Sequence, residues 1–241
     1  MKQIRIYNVK IDPVTRDEAV DFALTARGEP CWVVTPNAVM LDACRRDRGS
    51  AELLNAASLS LADGAGVLLA ARRQGTPLPC RVAGIEFGEQ LLRASAERGL
   101  RVFLLGGGEG VAEKAAENLC VRYPDLCICG SYWGYFDKDG EEDMRVIGLI
   151  RAARPDILFV CFGFPIQEKW IKAHLPLLGG VHVVAGLGGS LDVWAGKSRR
   201  APALVSRMGM EWAWRMVLEP KRLKNLPAIV RIVLGSRGRS F

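Results

Sequence analysis

As far as residue 195, short runs of β-branched and aromatic residues alternate with longer segments of helical periodicity, and nothing else in the sequence restricts the fold as strongly. Consecutive parallel strands need a crossover long enough to hold a helix, so this alternation is the pattern of βαβ units. The strand candidates are IRIY (4–7), CWVVT (31–35), SLSLA (58–62), RVFLLG (101–106), CICGSY (127–132), DILFVCFG (156–163) and VHVVAG (181–186). Helical patterns fall between them. One opens at Thr15, with Glu18 three residues on as a capping-box partner, and ends at Gly28. Another, from Glu109 to Tyr123, stops at Pro124, and a third, from Glu141 to Ala153, stops before Pro155. The stretch from Leu175 to Gly196 is long enough for a bilayer, but with His182, Asp192 and six glycines it reads as strand, tight loop and helix start. The expected fold is α/β: a Rossmann-like open, mostly parallel sheet with helices on both faces.

After Pro202 the alternation stops, and the rest reads as helix, with Met210, Trp214, Val217 and Leu218 along one apolar side. The organisation expected is an α/β domain over 1–202 and a basic helical appendage over 203–241. Charge divides the chain in nearly the same place. Residues 196–241 carry eleven Lys or Arg against two Glu, a net +9, which leaves −2 for the first 195 residues of a chain whose total is +7. A basic tail on a near-neutral body points to an anionic partner: nucleic acid, anionic lipid or a phosphorylated ligand.

Hydrophobic residues at 49% and charged residues at 24% supply a sizeable core and exclude wholesale disorder. The seven cysteines form no CxxC pair and lie mostly in apolar runs, so they read as reduced core residues; with two histidines in the chain, a zinc site is not expected. The first residues, MKQIRIYNVKID, lack the apolar core of a secretory signal, and export is not expected.

Ligands of open parallel sheets bind outside the carboxyl ends of the strands. Those ends are polar or glycine-rich here. Thr35, Pro36 and Asn37 follow the second strand; Asp63 and Gly64 the third; Gly106, Gly107 and Gly108 the fourth; Gly163, Gln167 and Glu168 the sixth; and Gly186, Gly188, Gly189 and Asp192 the last. Asp63 suits either a general base or an ordinary N-cap, and Thr35 and Asn37 are also plausible caps. GGGEG at 106–110 lets backbone approach a phosphate at a helix N-terminus, though it lacks GxGxxG spacing and carries Glu109 near the anion position. AGKS at 195–198 is no P-loop, because Leu191 stands where the motif needs glycine, and DKD at 137–139 reads as a solvated turn rather than a metal-holding pair.

Seven ordered blocks resemble the WecG/TagA/CpsF glycosyltransferases of bacterial cell-surface polymer synthesis: TPNAVMLDACRRD, ADGAGVLLAAR, RVAGIEF, RVFLLGGGEGVAEKAAENL, GFPIQEKW, GLGGSLDVWAGKSRRAP and EWAWRMVLEPKRL. The resemblance covers nearly the whole chain. It implies inverting transfer of a sugar, often of N-acetylmannosamine type, from a UDP-sugar to a polyprenyl-diphosphate-linked saccharide at the cytoplasmic face of the membrane. By that likeness Asp63 is the base, and Thr35, Asn37 and Gln167 line the reacting centre. Arg81 contacts the donor; Gly106, Gly107, Gly188, Gly189 and Asp192 form the nucleotide wall; and Arg215 and Arg222 lie in an appendage that meets the membrane and brings arginines to the site. Helix N-termini and arginines can stabilise the departing diphosphate, so no metal or other cofactor is expected; a homo-oligomer in the absence of membrane stays open. Trp212 and Trp214 suit either a lipid interface or the core of a helical cap. Two readings compete: a nicotinamide oxidoreductase, resting on GGGEG alone, and a nucleic-acid-binding module using the tail. Nucleic acid is not the expected partner, because the strongest polar set lies on the body.

Overall fold

The computed structural model describes residues 3–202, 205 and 209–235. The chain opens with a hairpin, β1 (Ile4–Ile6) and β2 (Val9–Ile11), paired antiparallel with Ile6 opposite Val9. The first expected strand is therefore a strand but stands outside the parallel sheet, and its partner Val9–Ile11 was not anticipated. Tyr7 and Asn8, at φ 48° and 66°, make the two-residue turn with both central residues at positive φ that matches strand twist in hairpins.

Helix α1 (Arg16–Thr25) starts from the capping box: the Thr15 hydroxyl accepts from Glu18 N–H, and the Glu18 carboxylate accepts from Thr15 N–H at 2.8 Å. β3 (Cys31–Val34), α2 (Ala38–Arg46), α3 (Arg48–Asn55), β4 (Leu59–Ser60), α4 (Ala65–Arg73) and α5 (Gly84–Arg98) follow. Next come β5 (Arg101–Gly106), α6 (Val111–Arg122), β6 (Cys127–Tyr132), α7 (Glu141–Ala153), β7 (Ile157–Cys161), α8 (Ile166–His174), β8 (Val183–Gly186) and α9 (Ser190–Trp194). The six strands β3 to β8 form one parallel sheet in the order β4-β3-β8-β7-β5-β6, open at both edges.

Side chains alternate across this sheet and feed two cores. Trp32, Val34, Leu105, Leu158, Val160 and Val184 pack with residues of α2, α3, α4, α7 and α8 on one face. Val33, Leu104, Ile157, Phe159, Val183 and Ala185 pack with α1, α5, α6 and α9 on the other. Covered on both sides, the central strands are buried at every position, which is why they read as continuous apolar runs. All seven cysteines are free thiols; Cys31, Cys44 and Cys161 are buried, and the other four are half-exposed.

The appendage comprises α10 (Glu211–Leu218), a 3-10 segment (Pro220–Asn225) and α11 (Leu226–Leu234). The expected helix to the end of the chain extends beyond the described residues. α11 lies on α2 and α4, burying Ala228, Ile229 and Ile232. Arg231 donates to both carboxylate oxygens of Asp42 at 2.9 and 2.7 Å, and Arg73 donates to Val233 O. Arg81 holds Glu211 of α10 at 2.9 Å. The apolar side expected on α10 is not the packed one: Met216 is buried, whereas Val217 is 75% exposed and Met210 and Leu218 are also exposed. Glu211 and Arg215 lie four positions apart in EWAWRMVL and so share one side of the helix, which leaves Met216 rather than Leu218 toward the opposite, inward side. No helix among the described residues is long and apolar enough to cross a membrane.

Candidate active site

A crevice of about 470 Å³ runs along the carboxyl rim of the sheet, and residues that follow all six parallel strands line it. Thr35 and Asn37 follow β3, Asp63 follows β4, Gly107 and Gly108 follow β5, and Gly134, Tyr135 and Lys138 follow β6. Gly163 and Gln167 follow β7; Gly188, Gly189 and Asp192 follow β8; Lys197 and Arg222 complete the wall.

Local pairing places the acid. Asp63 N–H donates to Pro36 O at 2.9 Å, continuing the β3–β4 alignment beyond the short β4 and setting Asp63 beside Thr35 and Asn37. Capping is not its task, because α4 starts from Gly64, at φ 95°, with no side-chain cap. Asn37 is a cap: its Oδ1 accepts from Val39 and Met40 N–H, which fixes the side chain at the N-terminus of α2. Thr35 is buried, and its hydroxyl donates to Gly186 O at 3.3 Å, tying the end of β3 to the end of β8. Gln167 Oε1 accepts from Gly163 N–H at 3.1 Å and Gly188 N–H at 3.0 Å. It braces two loops of the crevice wall, with its amide oxygen already engaged.

The glycine turn after β5 serves close approach. Gly107 has φ 71°, and a Cβ there would stand 2.6 Å from Val111 Cγ1. Gly106 lies deeper, where a Cβ would meet Cys161 O at 2.5 Å, and it does not line the crevice. Glu109, which stands near the expected anion position in sequence, is exposed and also outside the lining. Helix α6 begins just beyond with no side-chain cap, although Val111 N–H donates to Gly108 O at 3.1 Å; the positive end of the helix favours an anion nearby. Opposite, the Cβ position of Gly108 is 3.7 Å from Lys197 Nζ, and that of Gly189 is 3.9 Å from Asp192 Oδ2 and 4.0 Å from Arg222 Nη2. Arg222 Nε also donates to Glu219 at 2.8 Å.

Arg81 lies outside the lining. Its guanidinium bonds Glu86 at 3.0 Å and Glu211 at 2.9 Å and lies within electrostatic range of Asp63. Arg215 sits on α10, and its side chain lies outside the described residues.

Two cations at the crevice escaped the sequence reading. Lys197 belongs to the segment that fails as a P-loop, and Lys138 to the turn taken as solvated. Lys138 Nζ donates to Gly134 O and Phe136 O and lies 4.3 and 4.4 Å from the Phe136 and Phe162 ring centroids; desolvation lowers its pKa. Single lysines carry no spacing signal, so only the fold could bring them here. Cys161 also lines the crevice, but burial pushes its thiol up to about 12, which withholds the thiolate needed for nucleophilic attack. Among the described residues no three His, Cys, Asp or Glu side chains converge as a metal site would require.

Residues 4–240 match the profile of the glycosyl transferase WecG/TagA/CpsF family. The chain belongs to this family. Among curated proteins it is similar to the N-acetylglucosaminyldiphosphoundecaprenol N-acetyl-beta-D-mannosaminyltransferases of Staphylococcus aureus strains NCTC 8325 / PS 47 and MRSA252. Each is 36% identical over 198 residues, 82% of this chain and 76% of the relative. Family membership makes this chain a glycosyltransferase, which sets aside the oxidoreductase reading of GGGEG. In this WecG/TagA/CpsF member the strand-end blocks that carried the sequence resemblance converge on one crevice, with Gly106 and Arg81 outside its lining.

Proposed function

We propose that this glycosyltransferase moves an N-acetylmannosamine-type sugar from a UDP-sugar to a polyprenyl-diphosphate-linked saccharide, with Asp63 as general base. The names of the relatives supply the sugar class and a diphosphoundecaprenol-linked N-acetylglucosamine acceptor. One observation carries the mechanism: a carboxylate on the rim shares a single crevice with two glycine turns and the cations Lys197 and Arg222.

The acceptor hydroxyl gives its proton to Asp63 as its oxygen attacks the anomeric carbon, and the bond from that carbon to the diphosphate breaks on the opposite face, inverting the configuration. Negative charge then grows on the departing diphosphate. Lys197, Arg222 and the positive N-terminal end of α6 are what we assign to meet it, so this reading calls for no metal or other cofactor. Arg81, paired with Glu86 and Glu211, holds α10 to the body within electrostatic range of Asp63.

The appendage faces the lipid side in this reading. Val217, Leu223, Val230 and Leu234 are exposed beside Lys221 and Lys224, and a juxtamembrane Lys or Arg is worth about 1 kcal/mol near an anionic leaflet. The protein then works as a peripheral enzyme at the cytoplasmic face of the membrane. Trp212 and Trp214 are half-buried. UDP release from UDP-N-acetylmannosamine should require the lipid-linked acceptor and disappear in Asp63→Asn; full turnover in that variant would remove Asp63 from the base role. Association with anionic but not neutral vesicles, lost without residues 203–241, tests the membrane contact, and preferential binding to duplex DNA would overturn it.

A further inference from the structure

The loops that follow β7 and β8 form adjoining parts of the crevice wall, and one buried side chain joins them. Gln167 is 3% exposed, and its Oε1 takes both Gly163 N–H and Gly188 N–H. Its Nε2 donates to Glu168 Oε1 at 2.8 Å. Glu168 is completely buried, and its second oxygen has no hydrogen-bond partner. Burial pushes its carboxyl up to about 7. An apolar side chain of similar volume at this place would bring no unsatisfied oxygen and no ionisable group into the core, so stability alone gives no reason for an acid here.

We infer that Glu168 is a positioning residue: by accepting from Gln167 Nε2 it locks the amide that clamps the Gly163 and Gly188 loops, and so sets the crevice wall for the donor diphosphate. Gln167 touches the neighbouring strand as well. A Cβ on Gly186 would stand 2.7 Å from Gln167 Nε2, so the amide fits between Gly186 and Glu168 only because residue 186 has no side chain. Gly186 O in turn accepts from Thr35, which extends the tie to the end of β3. Three adjacent strand ends are joined in this way, and Glu168 supplies the anchor at the closed end.

The ligand named here rests on the proposed UDP-sugar reading; the clamp does not, and the experiment keeps the two apart. The probe is UDP, titrated calorimetrically into the full-length protein and its Glu168→Met, Glu168→Gln and Gly186→Ala variants, with thermal midpoints and hydrogen exchange at the Gly163 and Gly188 amides. Methionine fills the volume without an acceptor. E168M should keep or raise the thermal midpoint, bind UDP about tenfold more weakly, the equivalent of one hydrogen bond, and lose protection at both amides. E168Q retains a carbonyl acceptor and should stay within about threefold of the parent protein. G186A displaces the amide without touching the acid and should reproduce the loss seen in E168M; it decides the matter if E168M does not fold.

Parent-like UDP affinity and amide protection in E168M or G186A would overturn the inference. So would affinity and midpoint falling together in both E168M and E168Q, which is the mark of a packing residue. If the parent protein does not bind UDP, the donor reading fails by itself, and unchanged exchange at Gly163 and Gly188 in E168M would then refute the clamp separately.

Discussion

The α/β body and the C-terminal appendage both carry polar groups to the crevice, but they hold them differently. In the body the supporting groups are sealed: Thr35, Gln167 and Glu168 are all buried, and their hydrogen bonds link one strand end to the next. In the appendage, Arg222 reaches the crevice from a half-exposed ion pair with Glu219, and α11 is fastened through Arg231, whose side chain is 42% exposed. Buried pairs are costly to rearrange, whereas exposed ones exchange readily with water. The body is thus a preformed site, and the appendage a part whose attachment water can compete for.

The largest test removes the base that the body is proposed to supply. In Asp63→Asn the Asp63 N–H bond to Pro36 O is unaffected, and kcat should fall by about 10²- to 10⁴-fold with UDP affinity within a few-fold of the parent. Loss of UDP binding in proportion to kcat would mean that Asp63 holds the wall rather than takes the proton.

Next in size is the pH response of the buried acid. Glu168 has a folded pKa of about 7, against 4.5 for an ordinary Glu, so between these values the folded state binds the proton and the unfolded state does not. Stability linked to this group is therefore complete below about pH 4.5, declines as pH rises through 7 and is level above; the gap corresponds to roughly 3 kcal/mol. Urea unfolding at pH 5 and pH 8 should show a larger loss in the parent protein than in Glu168→Gln. Equal losses would mean that the acid is solvated when the protein is folded.

Much of this contrast was legible in the sequence. Strand ends rich in Gly, Asp, Asn and Gln announced the rim, because apolar runs buried on both faces leave little doubt where a strand stops. Capping chemistry fixed α1 to within a few residues. The hairpin partner Val9–Ile11 was missed because its turn, Tyr7–Asn8, lacks the usual glycine at positive φ. Lys138 and Lys197 were missed for a different reason: each reaches the crevice from a loop whose course is set by the tertiary fold. Gln167 was visible as a residue of the site, but its bracing role depends on Gly188, 21 positions later, and no local pattern records that contact.

Arg222 is the appendage's direct contribution. Arg222→Ala should lower kcat/KM for the donor by about tenfold to a hundredfold, below the range for a fully buried charge-stabilising donor, because Arg222 is partly exposed and Lys197 remains in the crevice. A change in KM for the lipid acceptor alone would move Arg222 to the acceptor side.

The smallest effect probes the attachment. Asp42 is wholly buried, receives Arg231 through two hydrogen bonds that hold its carboxyl below the usual range, and also meets Arg46 at 3.1 Å. Asp42→Asn keeps the shape and removes the charge. The α2 side of the contact is sealed, but Arg231 can turn to water, so the penalty should be about 1 kcal/mol rather than the several expected for a pair buried on both sides. Because Ala228, Ile229 and Ile232 still bury their side chains against the body, α11 should remain docked most of the time and detach more often. Limited proteolysis within residues 220–235 should accelerate several-fold in this variant, while cleavage within the body is unchanged. Donor kcat/KM should fall with it, by less than in Arg222→Ala, because every detachment withdraws Arg222 together with α11. Faster proteolysis at constant kcat/KM would show that Arg222 holds its place without α11, and the two halves of the appendage would then be independent of each other.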